Sequence, residues 1–162
     1  MKNDLIDGLF KKYYNEAVLY TMSICRNEAL AEDIVSEAFF KALSSADESI
    51  RNFKPWLLAV CRNEFLMHCR YRSRMSDEEL SEESAVQEDE TLNRIIRQEE
   101  YRALYRAISC LPENQREAII LFYFNGLSVK EIATVVGKSE ANVKILLHRA
   151  REALRKNMEG IR

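Results

Sequence analysis

Leu127 to Arg155, LSVKEIATVVGKSEANVKILLHRAREALR, predicts two helices joined by a tight turn. Ser128 and Glu131 have the spacing of a capping box, in which a hydroxyl and a carboxylate each satisfy an amide left unpaired at a helix start. The first helix then runs through Val136, and Gly137 stands where a helix end needs a left-handed residue. Ser139 can cap a second helix at once. Ala133 is small enough to let that helix cross closely, while Ile132, Val136, Val143 and Leu146 close the seam between the two. Such a crossing is the geometry of a DNA-binding helix-turn-helix.

On the second helix, Val143, Leu147, Ala150 and Leu154 form one apolar stripe at helical spacing. Lys144, His148, Arg151 and Arg155 form a neighbouring one, so a single face carries fixed cations and a titratable one. Phosphates are the natural partner of that face. Ala141, Asn142 and Ile145 point away from the seam, where small or amide side chains can meet adenine edges or thymine methyls in a major groove. An isolated basic helix would read as a solvated face. The capping box, Ala133 and Gly137 in register favour DNA.

Composition limits the remainder. The chain has 162 residues, 47% of them hydrophobic, with four Gly and two Pro. So few breakers, and no sustained alternation of apolar with polar residues, predict an all-α protein. The net charge of -2 is unevenly spread. Residues 51–74 hold six Lys or Arg against Glu64, whereas residues 75–90 hold eight acids and no base. Cys25, Cys61, Cys69 and Cys110 include no CxxC pair, so zinc is not expected, and all four fall in apolar helical patterns as reduced cysteines of a cytoplasmic protein would. No apolar run is long enough to span a bilayer, and no signal peptide is present.

Along the chain, a helix over Leu5–Cys25 presents Ile6, Leu9, Phe10, Tyr13, Ala17, Tyr20 and Ile24 on one face. Asn27 can cap a second helix, roughly Glu28–Leu43, burying Leu30, Ile34, Val35, Ala38 and Ala42 and leaving Glu32, Asp33, Ser36, Glu37 and Phe40 elsewhere. Those acids read as a solvated face, since no nucleophile, base or glycine-rich phosphate loop accompanies them. No enzyme site, cofactor or small-molecule substrate is therefore expected. A third helix begins near Lys54, with Pro55 in its first turn, and runs to about Arg72. Arg51, Asn52, Phe53, Lys54 and Trp56 lie at or before its start, followed by Arg62, Asn63, His68, Arg70, Tyr71, Arg72 and Arg74. Aromatics interleaved with cations and amides suit single-stranded nucleic acid. Taken singly, Trp56 and Phe65 also suit a helical core. Residues 75–91 read as a flexible acidic linker between domains 1–74 and 92–162. Thr91 begins a fourth helix, and Pro112 starts a fifth that Asn125 and Gly126 stop.

In this order the segments resemble the extracytoplasmic-function group of bacterial RNA polymerase sigma factors. The resemblance rests on AEDIVSEAFFKA (Ala31–Ala42), FKPWLLAVCRNEFLMHCR (Phe53–Arg70), LPENQREAIILFYFNGLSVKEIA (Leu111–Ala133) and ANVKILLHRAREAL (Ala141–Leu154). It implies a sigma region 2-like domain that binds core polymerase through Glu32, Asp33, Ser36, Glu37 and Phe40. Arg51, Asn52, Phe53, Lys54, Trp56, Arg62 and Asn63 would open the minus-ten element and hold an extruded base. A region 4-like domain would read the minus-thirty-five element through Ser139, Glu140, Ala141, Asn142, Lys144, Ile145 and His148, with Lys144, Arg149 and Arg151 near phosphates. The acidic linker would follow the path of emerging RNA, and an anti-sigma factor would hold the protein inactive. Ser36 stands where the group usually has glutamine, and Ile145-Leu146 where serine-arginine is common. Two rival readings are a regulator that binds operator DNA without polymerase and a helical adaptor that binds no DNA.

Overall fold

The computed structural model describes residues 2–44, 52–75 and 99–159. The linker, Arg51 and the expected helix start at Thr91 lie outside the described residues. The chain divides into two compact units, Met1–Ser84 and Ala85–Arg162. Every regular element among the described residues is helical.

In the first unit, α1 spans Lys2–Cys25, α2 Glu28–Ser44 and α3 Phe53–Met75. Their shared core holds Ala17, Tyr20, Val35, Ala38, Leu57, Leu58 and Cys61, all essentially removed from solvent. The α1 stripe is buried at Ile6, Ala17, Tyr20 and Ile24, but Phe10 stays 39% exposed at its edge. Phe10 stacks on Tyr14 and meets Phe39 edge-on. Phe39, absent from the expected core, is buried.

The corner between α1 and α2 is closed locally. Arg26 adopts a left-handed φ of 62° and its amide donates to the Met22 carbonyl at 2.9 Å. Asn27 then caps α2, its side-chain oxygen accepting from the Leu30 amide at 3.1 Å. An arginine in this conformation costs about 1–2 kcal/mol, and no glycine marks the position in the sequence.

In the second unit, α4 spans Glu99–Ser109, α5 Glu113–Ile119, α6 Val129–Val136 and α7 Glu140–Glu159. Pro112 precedes α5, as expected of a residue with no amide to satisfy. Between α5 and α6 the backbone widens into a π turn over Ile120–Phe124, and the Asn125 amide donates to the Ile120 carbonyl at 3.0 Å. Gly126 ends the segment at φ 67°. Ile119, Leu121, Ile132, Val143, Leu147 and Ala150 form the core beneath α7. Each fully buried aliphatic chain contributes about 1.5–3 kcal/mol.

Candidate functional site

The helix-turn-helix forms as its sequence dictates. Ser128 Oγ accepts from the Glu131 amide at 3.1 Å, and Glu131 Oε1 accepts from the Ser128 amide at 2.9 Å. Gly137 is left-handed at φ 70°, and the Gly137 and Lys138 amides both donate to the Ala133 carbonyl. Ser139 Oγ then accepts from the Asn142 amide at 3.1 Å, starting α7 after a minimal turn. Ile132, Ala133, Val143 and Leu146 are buried at the crossing and Val136 is half-buried.

All of Ser139, Glu140, Ala141, Asn142, Lys144, Ile145, His148, Arg149 and Arg151 are exposed. Ile145 is 48% exposed, an apolar side chain on the outward face. Arg151 differs from its neighbours. Its Nε donates to the Tyr123 hydroxyl at 2.8 Å, and its guanidinium lies 5.5 Å from the Phe122 ring centre and 5.6 Å from that of Tyr123. Nothing in the sequence pattern of α7 predicts this link to a residue 28 positions earlier. Tyr123, Phe124, Leu104, Ile108 and Leu154 also line an apolar groove of about 380 Å³, with Arg151 and Arg155 among its walls.

On α2, helical spacing turns Ala31, Ile34, Val35, Ala38, Phe39 and Ala42 inward. Glu32, Asp33, Ser36, Glu37 and Phe40 are consequently all exposed, Phe40 at 62%. The face is therefore acidic with one large ring in it. Burial, and after it the charge of Glu32, holds the Tyr14 phenol above its ordinary pKa. Lys41, one turn beyond Glu37 on α2, pairs with Glu64 of α3.

The expected minus-ten residues differ in exposure. Phe53 is only 4% exposed, and its ring lies 5.8 Å from Tyr13, 5.7 Å from Phe39 and 5.8 Å from Trp56, centre to centre. It is a core residue, where a ring open to an extruded base was expected. Lys54 is half-buried, paired with Glu16 at 3.1 Å and 5.9 Å from the Tyr13 ring centre. Trp56 and Arg62 are half-buried, while Asn52 and Asn63 are exposed. The Asn52 carbonyl accepts from the Trp56 amide at 3.1 Å and so begins α3. One turn beyond Asn63, Met67 is 59% exposed, and Tyr71 follows at 62%. Met67 was not among the candidates, although its spacing of four from both Asn63 and Tyr71 puts it on their face.

The cysteines divide. Cys61 is buried and Cys25 half-buried, but Cys69 and Cys110 are exposed, against the expectation that all four sit on apolar faces. Burial pushes the Cys61 thiol up to about 12. Among the described residues no cluster of His, Cys, Asp and Glu could hold a metal ion, and no helix is long and apolar enough to cross a membrane.

Two family models match the chain, Sigma-70 region 2 over residues 9–75 and Sigma-70 region 4 over residues 101–154. The ECF RNA polymerase sigma factor SigM of Bacillus subtilis is 34% identical over 159 residues, covering 93% of this chain and 93% of its own. The chain belongs to the ECF RNA polymerase sigma factors. This sigma factor is also similar to SigW of Bacillus subtilis, 31% identical with 98% of this chain and 89% of that one covered. Its fold matches a solved complex of the sigma factor RpoE with the anti-sigma factor NepR from Bartonella quintana, at TM-score 0.68 and 22% identity over 96% of this chain and 98% of that one. A second match is CnrH in complex with the cytosolic domain of CnrY, at TM-score 0.65 and 21% identity over 96% and 88%. The sigma factor thus recognises promoters for RNA polymerase, and its two matched regions fall in separate compact units.

Proposed function

We propose that this sigma factor supplies promoter choice without catalysing a reaction, by using three separate surfaces. Glu32, Asp33, Ser36, Glu37 and Phe40 of α2 dock on core polymerase. Asn52, Lys54, Trp56, Arg62 and Asn63, with Arg51, act at the minus-ten element, and Phe53 supports them from the core. Ser139 to His148 enter the major groove of the minus-thirty-five element, with Lys144, Arg149 and Arg151 at phosphates. Opening a duplex needs capture of unstacked bases, whereas reading one needs a helix in a groove, and the two units carry residues of these different kinds.

The observation that carries this reading is the outward face of α7. Nine positions expected to meet DNA are all exposed on a helix whose start is fixed by the Ser139 cap. An anti-sigma factor that covers both units in resting cells completes the proposal, supported by the fold shared with the sigma factor in the RpoE–NepR complex. The site of action is the cytoplasm, where polymerase and promoter meet.

Run-off transcription with purified core polymerase and a genomic promoter library tests the reading. Transcripts are expected only when core and this chain are combined. Tight operator binding by the chain alone, with no transcript in the mixture, would instead identify a conventional regulator.

A further inference from the structure

We infer that Tyr123 is a positioning residue for promoter binding, holding Arg151 ready for a DNA phosphate. The inference rests on the assignment of Arg151 to the minus-thirty-five surface. Three observations carry it. The Tyr123 hydroxyl accepts from Arg151 Nε at 2.8 Å, and Phe122 and Tyr123 place their rings 5.5 and 5.6 Å from the guanidinium. Those two rings meet edge-to-face at 4.9 Å, which fixes the corner they form. Arg151 nevertheless remains exposed, and among the described residues Tyr123 is its hydrogen-bond partner.

The chemistry follows from the shape of guanidinium. With Nε engaged, both Nη groups remain as donors in a fixed plane, the fork that phosphate oxygens accept. A free arginine must give up rotamer freedom on binding, and one already held by a hydroxyl and two rings gives up less. Among the described residues no hydroxyl or ring braces Lys144 or Arg149, exposed on the same helix, in this way. Tyr123 lies within Ile120–Phe124, the wider π turn that precedes the helix-turn-helix.

Holoenzyme reconstituted from core polymerase and the full chain tests the inference on a promoter duplex recovered by run-off selection, with affinity measured across salt concentrations. Tyr123→Phe removes only the acceptor oxygen and keeps the ring in the wall of the apolar groove. It is expected to weaken binding roughly two- to tenfold, the range of one hydrogen bond, with the salt slope unchanged. Arg151→Ala is expected to weaken binding and lower that slope by about 1. In the Arg151→Ala background, Tyr123→Phe should add nothing, because its effect passes through the arginine. An equal loss in both backgrounds, or no loss in either, overturns the positioning role while the phosphate assignment of Arg151 stands. A silent Arg151→Ala overturns both.

Discussion

Lys54 and Glu16 form an ion pair at 3.1 Å that ties the start of α3 to α1. With Lys54 at the minus-ten element as proposed, the pair sets a competition, since a phosphate there must draw Lys54 from a carboxylate already beside it. Glu16→Gln is expected to tighten binding to a pre-opened minus-ten template a few-fold. The pair is partly exposed, so the stability lost with it stays within about 1 kcal/mol. Fluorescence anisotropy of labelled template with holoenzyme measures the gain, and adding Lys54→Ala should erase it.

Phe40 offers a large ring to water amid acids, and little inside the unit depends on it. Phe40→Ala is expected to shift folding stability by no more than about 0.5 kcal/mol. Its affinity for core polymerase should fall tenfold or more, as for a buried aromatic anchor worth about 2 kcal/mol. Competition for core against the unmodified chain reads the difference. Equal competition by both would remove Phe40 from the docking face.

Asn63 separates melting from folding better than Trp56 does. Asn63 is exposed, so Asn63→Ala should unfold at the same temperature yet lose about tenfold or more in open-complex formation on duplex promoters. Trp56 is half-buried against Phe53, and its removal should also cost roughly 1–3 kcal/mol of stability, less than a fully buried ring. Activity of Asn63→Ala should return in part on templates already opened at the minus-ten element. No recovery there would place its defect elsewhere.

Gly137 tests the turn. A Cβ added there meets no heavy atom within 4 Å, so Gly137→Ala strains only the left-handed backbone. The expected cost is about 1–2 kcal/mol, with a smaller loss for Gly137→Asn. Ser128→Ala should cost about 1 kcal/mol through the lost cap. Denaturant midpoints of the three variants rank these effects.

Cys61 is held as a neutral thiol. Its folded pKa is pushed up to about 12 by burial, above the unfolded value of roughly 8.5. The stability it contributes is complete below the unfolded value, declines as pH rises above it, and is lost beyond about 12. At pH 8 a thiol reagent should label Cys69 and Cys110 rapidly and Cys61 only when the first unit opens. Mass spectrometry of the labelled chain distinguishes the sites, and fast labelling of Cys61 would contradict its burial.

What could be read from sequence was what nearby residues decide. Ser128 with Glu131, Gly137 and Ser139 fixed the turn because each acts on a backbone group within a few positions. The α2 face was legible for the same reason, helical spacing alone separating Ala31, Ile34 and Val35 from Glu32, Asp33 and Ser36. The failures are contacts made across the fold. Phe53 is buried because Tyr13 and Phe39 arrive from other helices, and the same convergence puts Glu16 beside Lys54. The bond between Tyr123 and Arg151 joins α7 to a π turn that no residue type announces. Arg26 takes a conformation usually left to glycine, so only the backbone reveals that corner.

The short helix α6 has both of its ends closed by its own neighbours, Ser128 with Glu131 at one and Gly137 at the other. None of those bonds involves Ala141, Asn142 or Ile145. Frame and outward face are to that extent chemically separate, and the side chains of Ala141, Asn142 and Ile145 can be rewritten one substitution at a time while the turn that presents them keeps its bonds. A lineage carrying copies of this unit could diverge in promoter taste without first solving the folding problem again.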